Sequence, residues 1–116
     1  MSREIEELQA ALRRFAEERD WDQFHSPKNL AASLSIEAGE VLEHFQWLTD
    51  DQSRQLDEEQ RKAVGHEIAD VLLYLLQLSD KLGIEPLGAA RDKLAINAAK
   101  YPADKARGSS KKYTEL

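Results

Sequence analysis

The chain has 116 residues, 41% hydrophobic and 33% charged, a balance that suits one globular domain over 1–116 and excludes a disordered chain. It has no cysteine, which excludes disulfide frameworks, thiol nucleophiles and cysteine-ligated zinc or iron–sulfur centres. Its net charge of −6 argues against a nucleic-acid polymer as partner, and its longest apolar run, residues 71–76, is too short to cross a bilayer. No membrane is expected as a partner, and a cytoplasmic location is. In chain order, Ile5, Leu8, Leu12 and Phe15 recur on one helical face and predict a first helix over about residues 3–19. Residues 20–28, reading DWDQFHSPK, form an aromatic-rich loop. Leu30, Leu34, Val41, Phe45 and Leu48 share one side of a second helix over about 29–48, and the polar stretch 49–56 reads as a linker. A third helix covers about 57–82, with Asp57 as its cap, Glu58 and Glu59 in its first turn and Gly83 just past its end. Pro86 opens a fourth helix over about 86–99.

No stretch alternates with period two, so the expected fold is all-α, a four-helix bundle with short connections. From Ile68 to Leu78 the third helix is apolar almost all round, which marks a helix enclosed on most sides. A homo-oligomer, dimer or tetramer, with this helix central covers it better than a monomer. Residues 100–116 carry Lys100, Lys105, Arg107, Lys111 and Lys112 against Asp104 and Glu115, a basic tail on an acidic body. It reads as a solvated terminus or as a flap over an anionic ligand.

The informative residues are acids that interrupt the apolar pattern. At about 100° per residue, Glu67, Asp70 and Tyr74 fall in a narrow arc beside Val71 and Leu78, so both acids point towards the core. On the second helix, Glu37 and Glu40 share an arc with His44 and Trp47 that borders the apolar face. Two helices thus each bring an acid pair at i, i+3 to the edge of the core. Four unpaired carboxylates in one pocket repel, and each buried ion costs several kcal/mol unless it is protonated or neutralised. A divalent cation removes the difficulty, and an all-carboxylate set favours Mg²⁺ or Mn²⁺. A di-iron bundle needs Glu-x-x-His motifs, and neither acid pair contains a histidine. The alternative is that these are ordinary surface acids in an acid-rich chain.

Glu-x-x-Glu on one helix and Glu-x-x-Asp on the next resembles the all-α nucleoside triphosphate pyrophosphohydrolases of the MazG-like superfamily. The stretches RDWDQFH (19–25), FQWLTD (45–50), EIADVLLYLL (67–76) and the tail YPADKARGSSKKYTEL (101–116) are closest to its dCTP pyrophosphatase branch. The resemblance covers nearly the whole chain. It implies Mg²⁺-dependent hydrolysis of a dNTP to dNMP and pyrophosphate by a homo-oligomer. It implies Glu37, Glu40, Glu67 and Asp70 as metal ligands and catalytic residues. It implies Trp21, Asp22, Gln23, Phe24, His25, Trp47 and Tyr74 as substrate contacts. The branch often has a histidine on the first helix where this sequence has Leu12, which bears on base preference rather than on the chemistry.

The residues themselves leave several roles open. Trp21, Phe24 and Trp47 offer rings for a base, or, for the last two, core packing. Asp22, Gln23 and His25 have the polar groups to pair with a base edge. Tyr74 is either a core tyrosine or a contact to the deoxyribose. Lys93, Asn97 and Lys100 on one face of the fourth helix, with Arg107 in the tail, have the chemistry for phosphate oxygens or for a solvated surface. Three functions compete: a dNTP pyrophosphohydrolase serving nucleotide-pool housecleaning, on dCTP, a modified cytosine or another base such as dUTP; a non-catalytic helical oligomerisation or binding module; and an oxygen-using di-metal protein.

Overall fold

The computed structural model describes residues 2–116. Every regular element among them is helical: α1 (Arg3–Glu18), a 3-10 turn (Asp22–Phe24), α2 (Pro27–Glu43), α3 (Asp50–Ser53), α4 (Glu58–Leu82), α5 (Pro86–Lys100), α6 (Ala103–Ala106) and a second 3-10 turn (Tyr113–Glu115). None of these helices is long and apolar enough to cross a membrane. The chain divides into two compact units, Ser2–Ile84 and Glu85–Leu116.

In the first unit α4 is the spine, and α2 and α1 both pack along it. The ends of α4 lie where their residues dictate. Asp57 and Gln60 form a reciprocal capping box at the start. Gly83, at φ +66°, takes the left-handed conformation that ends the helix, and the Ile84 N–H donates to the Ser79 carbonyl. Leu30 of α2 and Leu76 of α4 are fully buried, with Ala16 and Val64 completing the small core. Two polar contacts clasp α1 to α4: Gln9 Nε2 donates to the Leu76 carbonyl at 3.0 Å, and Arg13 Nη1 to Asp80 Oδ2 at 2.6 Å.

Helix α2 departs from the sequence expectation at both ends. It starts two residues early, because Ser26 accepts from the Asn29 N–H and Pro27 sits in the first turn, where its missing N–H costs nothing. It ends at Glu43 rather than near 48, where the ladder gives way to tight i→i−3 bonds at His44, Phe45 and Leu48. The linker 49–56 contains the one-turn helix α3, fixed by a capping box between Thr49 and Gln52. The outer side of α4 exposes Ile68, Leu72 and Leu75, which with Ala38, Val41 and Val71 line an open apolar hollow.

In the second unit, Glu85 caps α5 by accepting from the Gly88 N–H. The tail is folded: Tyr101 and Tyr113 meet edge to face at 6.1 Å, and Lys100 Nζ lies 4.8 Å from the centre of the Tyr113 ring.

Candidate functional site

The packing of α2 along α4 sets the two acid pairs against each other. One carboxylate oxygen each from Glu37, Glu67 and Asp70 lie within 4.8 Å of one another. Glu40 lies close enough to act on both Glu37 and Glu67. The Glu37 carboxyl is pushed up to about 7, first by its hydrogen bond with Glu40, then by burial and the charges of Glu40, Asp70 and Glu67. Burial and Glu40 raise Glu67 too, and His44, whose Nε2 lies 3.7 Å from Glu67 Oε1, partly offsets this. Glu37 Oε2 and Glu67 Oε2 are buried with no hydrogen-bond partner. Orphaned buried carboxylate oxygens, converging from two helices with no other element type in the donor set, fit a hard divalent cation. Asp70 is exposed rather than core-facing, because it sits on the rim where the acid cluster opens into a cavity.

That cavity, about 380 Å³, lies between α1, α4 and the loop after α1. Leu8, Leu12, Phe15, Trp21 and Leu73 make it mostly apolar, and His25, Asp70, Tyr74 and Gln77 supply its polar groups. A second hollow of about 330 Å³, lined by Trp21, Phe24, His25 and Tyr74, lies beside it against Asn29, Leu30 and Ser33 of α2. Trp21 is fixed by its backbone N–H donating to the Ala16 carbonyl at 2.9 Å and by edge-to-face packing on Phe15 at 5.7 Å. The Arg19 guanidinium covers the Phe15 ring at 3.7 Å.

Asp22 and Gln23 are spent on the loop itself. Asp20 adopts φ +53°, and Gln23 Nε2 holds that turn by donating to both the carbonyl and Oδ2 of Asp20. Asp22 Oδ1 accepts from Lys81 Nζ at 2.5 Å. That bond first, and the lysine charge second, hold the Asp22 carboxyl below the usual range. The Asn29 side chain closes the loop's other end on the Phe24 carbonyl. Trp47 is not brought to either cavity. Because α2 stops at Glu43, Trp47 leaves the arc it would share with Glu37 and Glu40, and it is 87% exposed. Lys93, Asn97, Lys100 and Arg107 belong to the second unit, where Asn97 is half-buried and the others are exposed.

Sequence reasoning passed over Gln77. Its signal was present: a single amide seven residues after Asp70 and three after Tyr74, on the same stripe of an otherwise apolar run.

The MazG-like family model matches residues 32–116. The chain is 42% identical to human dCTP pyrophosphatase 1 over 114 residues, which is 97% of this chain and 67% of that protein. It is 38% identical to the rat dCTP pyrophosphatase 1 over the same shares. The crystal structure of a pyrophosphatase from Archaeoglobus fulgidus superposes with a TM-score of 0.81 at 45% identity, covering 88% of this chain and 95% of that one. With the acid pairs on adjacent helices and these matches over nearly its whole length, the chain belongs to the MazG-like family.

Proposed function

We propose that the protein is a nucleoside triphosphate pyrophosphohydrolase that converts dCTP, or a modified-cytosine analogue, to dCMP and pyrophosphate with Mg²⁺, or Mn²⁺ in its place. The observation that carries this reading is the convergence of Glu37, Glu67 and Asp70, two with orphaned buried oxygens, at the mouth of an aromatic-walled cavity. The relatives named as dCTP pyrophosphatases support the substrate.

Bound at the acid cluster, the metal supplies positive charge that draws the triphosphate to four carboxylates and stabilises charge developing at the α-phosphate. The chain's own residues do the rest. Glu37, Glu40, Glu67 and Asp70 fix that charge at one end of the cavity. Water forms the new bond to the α-phosphorus, the bond to the bridging oxygen breaks, and pyrophosphate leaves with the electron pair. One carboxylate takes the water's proton, and Glu37 and Glu40 are the candidates. Tyr74 faces the deoxyribose, and Trp21, His25 and Phe24 enclose the base. Asp22 and Gln23 contribute by shaping the loop that carries them. Lys93, Asn97, Lys100 and Arg107 carry the donors that phosphate oxygens accept from.

Residues 1–116 act as one functional domain, in a homo-oligomer working in the cytoplasm on free nucleotides. The exposed stripe of Ile68, Leu72 and Leu75 supports assembly, since an apolar face of this kind is costly to leave in water. The test is a panel of dNTPs and NTPs with 5-methyl-dCTP, each with Mg²⁺ and with EDTA, reading pyrophosphate and monophosphate. Metal-dependent release from cytosine deoxynucleotides is the expected result. Release from another base overturns the substrate, and no release from any overturns the activity in favour of a binding module.

A further inference from the structure

We infer that Gln77 selects the nucleobase by accepting a hydrogen bond from the exocyclic amino group of cytosine, favouring it over uracil and thymine. The inference rests on the activity proposed above and names the residue that decides its base.

Asp70, Tyr74 and Gln77 all line the 380 Å³ cavity from α4. At about 100° per residue they fall within an arc of about 60°. At about 1.5 Å of rise per residue, Gln77 lies about 10 Å along the axis from Asp70. That order matches a nucleotide laid along the helix: phosphate at the acid cluster, deoxyribose at Tyr74, base at Gln77. The base would rest among Leu8, Leu12, Phe15 and Trp21, where a flat, mostly apolar ring belongs. Leu12 faces the same cavity from α1 and has no polar atom, and of the polar groups that α4 gives this cavity the amide of Gln77 lies farthest from the acid cluster.

One hydrogen bond orients that amide. Gln77 Nε2 donates to the Leu73 carbonyl at 3.3 Å, and a carbonyl can only accept, so the nitrogen must face it. The carboxamide oxygen accepts no hydrogen bond from the described residues and is open to a donor from a ligand. An acceptor there pairs with the amino group at position 4 of cytosine. It opposes the carbonyl oxygen that uracil and thymine carry at the same position. A buried site built to bond one such group rejects a base that lacks it more strongly than an apolar pocket rejects a change of size. His25 lines the cavity from the loop and has no such fixed polarity.

The test replaces Gln77 with methionine, which keeps length and volume and removes the acceptor, and measures kcat/KM for dCTP, dUTP and dTTP. The expected result is a fall of about tenfold for dCTP, carried by KM, with dUTP and dTTP little changed. A dCTP analogue with hydrogen in place of the 4-amino group serves as a second arm that needs no variant. The wild type should disfavour it by a similar factor, and Q77M should not distinguish it from dCTP. A third readout is calorimetric binding of dCMP and dUMP without metal, where the wild type prefers dCMP and Q77M loses the preference. An unchanged dCTP to dUTP ratio in Q77M, or equal losses for every base, overturns the role of Gln77 while the enzyme's activity stands. No hydrolysis by the wild type overturns the underlying activity, and the calorimetric arm then decides Gln77 alone.

Discussion

The two ends of the α4 stripe solve opposite problems. At Glu67 and Asp70 the side chains do not satisfy one another: carboxylates meet carboxylates, two oxygens are buried without partners, and Glu37 keeps a proton up to about pH 7. Four to ten residues further on, at Tyr74 and Gln77, the surroundings are apolar, and the Gln77 amide nitrogen is bonded within its own helix. The first end is complete only with a cation from outside. The second is complete as it stands and has room for a ring. One helix thus supplies both a charge-demanding end and a shape-demanding end, and substitutions at the two should differ in kind.

The largest expected effect is at the acid end. Glu67→Ala should lower dCTP hydrolysis by roughly 10³-fold or more, the scale of losing a group that stabilises transition-state charge. The same variant, freed of metal, should melt no lower than the wild type, because one of the repelling acids is gone. A large fall in metal-free melting temperature would make Glu67 a structural residue and erase the contrast. At the other end, Trp21→Ala removes a ring worth ~1–3 kcal/mol to a stacked base. It should raise KM by about ten- to a hundredfold with kcat nearly kept. A fall in kcat as large as that of Glu67→Ala would merge the two ends into one.

Next in size come stability effects. The folded protein holds a proton on Glu37 up to about pH 7, whereas the ordinary value is 4.5. Between these values the folded state binds more protons than the unfolded chain, so stability falls as pH rises. The stabilising contribution is full below about pH 4.5 and gone above about pH 7. The metal-free melting temperature should therefore decline from pH 5 to pH 8, and Glu37→Gln should flatten the decline. Mg²⁺ at a hundredfold excess over its Kd should add about 2.7 kcal/mol, about ten degrees in a chain of this size. At one fixed Mg²⁺ concentration the gain should be greater at pH 8 than at pH 5.5, because the ion displaces the proton. Equal gains at both pH values would mean that the ion binds elsewhere.

The spine of the site was legible in the sequence because its signals are local. Asp57 and Gly83 bracket α4, and acids at i, i+3 in an apolar run mark the cluster. The end of α2 was not legible, since Phe45 and Leu48 continue the helical spacing of Val41 while the backbone tightens into turns. Trp47 went astray with it. The exposure of Asp70 depends on a cavity shaped by α1, and no periodicity within α4 contains that information. Asp22 read as a ligand to a base because its partner, Lys81, lies 59 residues away.

That pair gives the smallest effect and the finest test of the comparison. Lys81 stands on the last turn of α4, beyond Gln77, and its bond to Asp22 ties the loop carrying Trp21 and His25 to the helix. Both side chains are partly exposed, and pairs of this kind contribute little to stability. Lys81→Met should leave the melting temperature nearly unchanged, while a looser loop raises KM about two- to fivefold for every dNTP alike. The reversed pair, Asp22→Lys with Lys81→Asp, should recover part of the loss, and the coupling between the two positions isolates the bond from its surroundings. Raising the salt should shrink the coupling, because exposed charges are screened. A KM increase confined to dCTP would place Lys81 in base selection with Gln77, whereas a uniform one keeps it to holding the wall against which any base rests.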